Sequence, residues 1–259
     1  MSSQDILVSR SDGVVTVTLN RPEKRNAVRL AMWKELARLF GELGADRAVR
    51  TVVLTGAGGQ FCAGADISEF KEVRDNAAAA VEYEHAGEAA MLAIRDCAKP
   101  VIAQISGNCV GGGLGLALCC DFRIADETAR LGIPAARLSL IYSLLETQLL
   151  MAAAGASNAK RVLMTAKLFP VAEAARLGLV DEVVPDAAKA VRELAATLAA
   201  NAPLSVAGAK YIINALAGGM VEKREAEIDR LINAAMDSED YQEGRRAFAE
   251  KRPPKFQGR

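Results

Sequence analysis

The sequence is poor in histidine, in net charge and in aromatic residues. His85 is the only histidine among 259 residues. Zinc sites that need two or more histidines are therefore excluded, and a triad base has one candidate. No metal is expected. Thirty-two Lys and Arg balance thirty-two Asp and Glu. The chain thus lacks the basic excess that displaces counterions from nucleic acid. It also lacks the polybasic segment that holds an anionic membrane surface. Neither nucleic acid nor membrane is expected as a partner. No run of ~18 uncharged apolar residues occurs, so no transmembrane span is expected. The longest apolar stretch, Cys109 to Cys120, is too short and holds four glycines. The opening MSSQDILVSRSDG has no basic segment followed by an apolar one, so no secretory signal is expected. The five cysteines, at 62, 97, 109, 119 and 120, are odd in number and form no CxxC. They read as reduced, buried thiols of a cytoplasmic protein.

What is present is a large apolar fraction, 51%, with two kinds of periodicity. Residues 4–20 alternate around Asp12-Gly13, which predicts a hairpin. An amphipathic helix is predicted from about Ala27 to Leu43, with Leu30, Trp33, Leu36, Ala37 and Phe40 on one face. Thr51–Thr55, Val101–Ile105 and Asp121–Ala125 read as buried strands, with an Ala-rich helix over 77–97. Beyond Pro170 strand signals nearly vanish, and helices are predicted over 171–177, 187–200, 204–217, 220–236 and 238–250. Strands alternating with helices predict an α/β fold. A core over 1–195 and a helical module over 196–259 are expected.

Two glycine-rich loops each follow a strand: Gly56 to Gln60, and Gly107 to Gly113. Phe61 stands where a GxGxxG fingerprint needs its third glycine, so dinucleotide binding fails on spacing. Neither loop carries the Gly-Lys-Ser/Thr of a P-loop, and Gln104 two residues before Ser106 breaks a nucleophile elbow. What remains is bare backbone N–H groups, with Gly111-Gly112-Gly113 opening a helix whose dipole favours negative charge there. Two such loops brought together make an oxyanion hole. The plainer reading is that the glycines serve tight turns and close packing.

The runs Phe61-Cys62-Ala63-Gly64-Ala65-Asp66-Ile67, Lys99 to Ala103, Gly107 to Gly113 and Cys120-Asp121 resemble the crotonase, or enoyl-CoA hydratase/isomerase, superfamily. Asn20-Arg21-Pro22 with Asn26-Ala27, Ala172-Glu173-Ala174 with Gly178-Leu179-Val180, and Phe248 to Arg252 agree with it. The resemblance covers nearly the whole chain. It implies a ββα spiral core, a C-terminal helical trimerisation module, and a homotrimer or hexamer. It also implies an acyl-CoA thioester as substrate and no separate cofactor, since coenzyme A belongs to the substrate. The N–H groups of Ala65 and Gly112 would hold the thioester oxygen. Lys24, Phe248 and Lys251 match positions that contact the CoA nucleotide, and Ala27, Ala63, Asp66 and Ile67 fall in the substrate-binding segments.

Hydratases of this superfamily use two glutamates, and Gly115 and Ala135 occupy those places here. Neither residue can activate water or deliver a proton. Ordinary hydration is therefore not expected, whereas decarboxylation, double-bond isomerisation and thioester hydrolysis are. Tyr142 matches a tyrosine of the methylmalonyl-CoA decarboxylase branch, which the run Asp237 to Gly244 also resembles. That branch has a histidine where this chain has Ala65. Tyr142 reads equally as a packed aromatic. Glu146 is the nearest acid downstream and would serve an isomerase as its base, with burial raising its pKa. Ser143-Leu144-Leu145-Glu146 also reads as a capping box. Asp66 reads locally as a helix cap, and Ser143 is a poor base. His85 reads as a surface residue, and Cys62 has no adjacent base. RNA binding is set low, because Arg95 is the only basic residue between Ala78 and Ala98. A catalytically silent CoA-binding protein is the alternative to an enzyme.

Overall fold

A computed structural model describes residues 5–70 and 77–259. In chain order the strands are β1 (Ile6–Ser11), β2 (Val14–Leu19), β3 (Thr51–Gly56), β4 (Val101–Ile105), β5 (Asn108–Val110), β6 (Phe122–Ala125), β7 (Arg130–Gly132), β8 (Leu168–Pro170) and β9 (Glu182–Val183). The α-helices described are α1 (Leu30–Ala45), α2 (Ala77–Arg95), α3 (Gly112–Cys119), α4 (Leu144–Thr165), α5 (Val171–Arg176), α6 (Ala187–Ala200), α7 (Pro203–Ala217), α8 (Val221–Met236) and α9 (Glu239–Glu250).

The α/β class predicted from the sequence is what forms. One sheet has the order β1-β2-β3-β4-β6-β9, with β1 antiparallel to β2 and the other pairs parallel. Asp12 and Gly13 both take positive φ, 50° and 78°, as a tight hairpin turn requires. Side chains alternate across the sheet. Val52, Leu54, Val101 and Ala103 join the main core with α1, α2 and α3, while Val53, Ile102 and Ile124 pack on Ala187, Val191 and Ala195 of α6.

A second sheet, β5-β7-β8, was not expected. Its strands have three residues each, too few to display a period. The 22-residue α4 was likewise seen only at its capping box. The expected boundary at 195/196 falls within α6, Ala187–Ala200. Helix α6 runs through it, because Val191 and Ala195 are held on the sheet.

Beyond α6 burial is thin. Helix α8 has no buried residue and α7 has only Ala215. Polar bonds attach α7 to the core: Lys210 Nζ lies 2.8 Å from Asp121 Oδ2, and Asn214 Nδ2 donates to the Arg95 carbonyl at 3.0 Å. The last residues fold back on α9, with Gln257 and Gly258 N–H donating to the Asp240 carboxylate at 2.6 and 2.7 Å.

Candidate active site

The segment after the first glycine loop is threaded between two neighbours. Cys62 bridges Cys109 and Ala65 bridges Val28, both in parallel sense. Val28 N–H donates to the Gly64 carbonyl and Asp66 N–H donates to the Val28 carbonyl, at 2.8 and 2.9 Å. This pattern uses the residues on either side of Ala65 and leaves its own N–H out of the ladder. Gly112 opens α3, where first-turn N–H groups have no intrahelical acceptor. Neither N–H donates a hydrogen bond among the described residues.

Glycine is what lets the two segments meet. Gly64 has φ +98°, and a Cβ there would stand 2.8 Å from the Val110 carbonyl and 3.3 Å from Gly112 N. Gly111 has φ +58° and packs within 4.0 Å of Gly64 Cα by the same measure. A Cβ on Gly112 would press on the Trp33 ring at 3.3 Å and lie 3.7 Å from Ala65 N. Two backbone donors thus converge with no side chain between them.

Ala65 and Gly112 line a cavity of about 160 Å³. That volume is roughly what a benzene-sized group needs. Trp33, Phe70, Tyr83 and Met91 wall one side; Pro134, Ala135, Leu138, Ile141 and Tyr142 wall another. Trp33 Nε1–H donates to the Tyr83 hydroxyl at 3.0 Å, and the Phe70 and Tyr83 rings meet edge-on at 5.6 Å. These bonds join α1 to α2 and fix that wall. A preorganised pair of donors in an apolar cavity suits an oxyanion that develops during reaction.

Tyr142 and Glu146 reach the same cavity. The Tyr142 hydroxyl lies 3.7 Å from where a Gly111 Cβ would be. Burial, then the neighbouring Glu146 charge, holds the phenol well above its ordinary pKa, so it stays neutral. The capping box at Ser143 forms as expected: Glu146 N–H donates to Ser143 Oγ, and Ser143 N–H donates to Glu146 Oε2, each at 3.3 Å. The cap occupies Oε2. Oε1 lies 3.5 Å from the position of a Cβ on Gly115.

A family model for enoyl-CoA hydratase/isomerase matches residues 9–259. The chain belongs to the enoyl-CoA hydratase/isomerase family. A short-chain-enoyl-CoA hydratase of Clostridium acetobutylicum is 34% identical, over 97% of each chain. Among solved structures, an enoyl-CoA hydratase/carnithine racemase from Magnetospirillum magneticum is 39% identical with TM-score 0.94, over 100% of this chain and 97% of that one. An enoyl-CoA hydratase from Bacillus anthracis is 33% identical with TM-score 0.92, over 99% and 100%.

The residues singled out in the sequence do not all gather at this cavity. Ala63, Ala65, Ile67, Gly112, Ala135, Tyr142 and Glu146 line it. Gly115 is buried just behind Met91, whose Cε would stand 2.8 Å from a Cβ there. Asp66 turns away: its carboxylate accepts from Ser68 N–H at 3.1 Å and pairs with Arg21 at 2.9 Å. Burial pushes this carboxyl up, but the Ser68 hydroxyl and the Arg21 guanidinium outweigh it and hold it below the ordinary range. Asp66 is the cap read from the sequence and does not line the cavity. Ala27 is buried and accepts from Arg21 at 2.7 Å. Lys24 is exposed in a 3-10 turn, Pro22–Lys24. Phe248, 88% exposed, lines a separate hollow between α7, α8 and α9, and Lys251 ends α9. Within one chain these three do not reach the Ala65–Gly112 cavity.

His85 is exposed on α2, as a surface residue would be. All five thiols are buried and unpaired, and burial pushes them up, Cys62 and Cys120 to about 12. None is a ready nucleophile. Sequence reasoning missed Phe70, Tyr83 and Met91 as cavity wall. Tyr83 and Met91 stand eight residues apart on α2, a spacing that puts both on one helix face and was open to reading.

Proposed function

We propose that the chain is an enzyme that binds an acyl-CoA thioester and stabilises its enolate with the N–H groups of Ala65 and Gly112. The observation that carries this reading is the convergence of those two donors on an apolar cavity. Enolate formation moves negative charge onto the thioester oxygen, and each donor contributes about 3–4 kcal/mol to such a transition state. Ordinary hydration is not part of the proposal, since Gly115 and Ala135 supply neither base nor acid. Proton shift, decarboxylation and thioester hydrolysis all pass through charge on that oxygen. Coenzyme A enters as part of the substrate, with no further cofactor.

Purified protein is to be incubated with crotonyl-CoA, methylmalonyl-CoA and 3-butenoyl-CoA, with acyl-CoA binding followed by calorimetry. Binding with turnover of one of the last two, and no fast hydration of the first, is the expected result. Rapid crotonyl-CoA hydration contradicts the argument from Gly115 and Ala135. Tight binding with no turnover of any thioester supports the silent CoA-binding reading instead.

The same reading includes a homotrimer or hexamer. Ile213, Leu216, Ile232 and Met236 are 46–63% exposed on α7 and α8, helices with almost no core of their own. Sedimentation of a stable monomer contradicts it. A cytoplasmic location accords with five reduced thiols. No described helix is long and apolar enough to cross a membrane.

A further inference from the structure

The segments that carry Ala65 and Gly112 meet at one buried side chain. Cys62 is fully buried and stands two residues before Gly64. Its backbone is tied to the second glycine loop. Cys62 N–H donates to the Asn108 carbonyl at 2.8 Å, and Val110 N–H donates to the Cys62 carbonyl at 2.9 Å. Its sulfur accepts from Gly64 N–H at 3.3 Å. Gly64 is buried, and no backbone carbonyl takes that N–H among the described residues. A buried amide left unpaired costs about 1–3 kcal/mol. The following peptide ends in the Ala65 N–H, and Val28 N–H holds its carbonyl, Gly64 O, at 2.8 Å. Sulfur and Val28 therefore hold Gly64 from its two sides, where a glycine at φ +98° would otherwise be free to turn.

The second donor is braced on the same residue. A Cβ on Gly113, next to Gly112, would stand 2.4 Å from the Cys62 carbonyl oxygen and 2.8 Å from Cys62 Cβ. Cys109, the bridge partner of Cys62, donates its thiol to the Gly113 carbonyl at 3.7 Å. Burial keeps the Cys62 thiol protonated at neutral pH, so it brings no negative charge beneath the two donors. Cys62 does not line the cavity.

We propose that Cys62 is a positioning residue, whose thiol fixes the Gly64–Ala65 peptide and so aims the Ala65 N–H at the point that the Gly112 N–H also faces. This rests on the enolate reading above. Sulfur and a hydroxyl oxygen both accept an N–H, whereas a methyl group does not. Loss of the acceptor lets the Ala65 N–H drift from the place where the thioester oxygen gains charge. Binding of the whole thioester in its ground state then changes little, and the transition state loses support.

Wild type, Cys62→Ala, Cys62→Ser and Cys97→Ala are to be compared in D2O with butyryl-CoA. The readouts are deuterium entry at the α-carbon, affinity by calorimetry, and the infrared stretch of the bound, isotope-labelled thioester carbonyl. Denaturation midpoints establish that each variant is folded. Cys62→Ala should lose exchange by about 10–10²-fold at unchanged affinity. Its carbonyl stretch should move back toward that of free butyryl-CoA. Cys62→Ser should keep most of the exchange and the wild-type stretch, because its hydroxyl accepts the Gly64 N–H. Cys97→Ala removes an equally buried thiol outside the site and should change neither. A thiol that merely fills space would leave the stretch unmoved in every variant. Full exchange by Cys62→Ala, or a folded Cys62→Ser as impaired as Cys62→Ala, overturns the proposal. Should Cys62→Ala fail to fold, Cys62→Ser decides alone: loss of exchange and a shifted stretch in that folded variant overturn it. Wild type that binds without exchange overturns the enolate reading instead, and the carbonyl stretch still decides for Cys62. Failure of the wild type to bind butyryl-CoA overturns both.

Discussion

The site has a backbone half and a side-chain half, and the two are held by different means. Ala65 and Gly112 are placed by the sheet, by paired bridges and by glycines at φ +98° and +58°. Almost any change there disturbs main chain. The side-chain half consists of Tyr142 and Glu146 on the loop before α4 and on its first turn, with Gly115 and Ala135 bare. Positions of this second kind exchange residues without moving the fold. An oxyanion hole can therefore persist while the acid and base around it change address, and the reaction with them. Relatives named as hydratases thus share this chain's fold without settling its chemistry.

The largest break comes from the backbone half. Gly64→Ala forces a side chain into a left-handed backbone and against the Val110 carbonyl. Turnover should fall by about 10³-fold. The substitution is also expected to cost about 1–3 kcal/mol of stability by chemical denaturation. Retained turnover would mean that the two loops need not meet.

The side-chain half is sharpened by adding to it. Gly115→Glu with Ala135→Glu should raise crotonyl-CoA hydration by about 10²-fold from a background near zero, measured by product formation. The Met91 terminus is the near contact of the first new side chain, and it is flexible. No gain would show that the cavity rather than the missing carboxylates blocks hydration.

Arg21→Met tests the support beneath the first loop. It leaves Asp66 with Ser68 alone and should cost about 2 kcal/mol at neutral pH, less than for a fully buried pair. The sign with pH follows from the lowered Asp66 carboxyl. Its contribution is complete above the unfolded value of about 3.9 and is lost as pH falls through the lower folded value. In the variant that loss should begin at higher pH, seen in denaturation midpoints taken across the acid range. The smallest effect is expected from Ser143→Ala. It removes the bond to Glu146 N–H but leaves Ser143 N–H on Oε2. Stability should drop by about 1 kcal/mol with proton exchange retained.

The longer elements were legible because each carries a clear apolar run or helical pattern bounded by turn residues. β3, β4 and α6 fall where the buried apolar runs and the helical pattern place them, and the Asp12-Gly13 turn is where its chemistry requires. The short sheet was not legible. Three-residue strands carry no period, and Asn108–Val110 was hidden between glycines. At the site, Ala65 and Gly112 were reached through the motifs around them, and Ser143-Glu146 through its capping spacing. That Glu146 also approaches Gly115 was out of reach. It depends on how α4 crosses α3 thirty-one residues earlier in the chain, a tertiary contact with no local sequence signal. Lys24 and Phe248 show the converse: the motif resemblance linked them to the site, and a single chain keeps them apart from it.

The central claim is enolate chemistry at Ala65 and Gly112 without hydration. It is tested most directly by holding the wild-type protein with butyryl-CoA in D2O, and separately with crotonyl-CoA in water, and analysing both products by mass and NMR. The account predicts deuterium at the α-carbon of butyryl-CoA and no hydroxyacyl product from crotonyl-CoA. Fast hydration without dependence on added carboxylates, or thioester binding with no deuterium uptake, would contradict it.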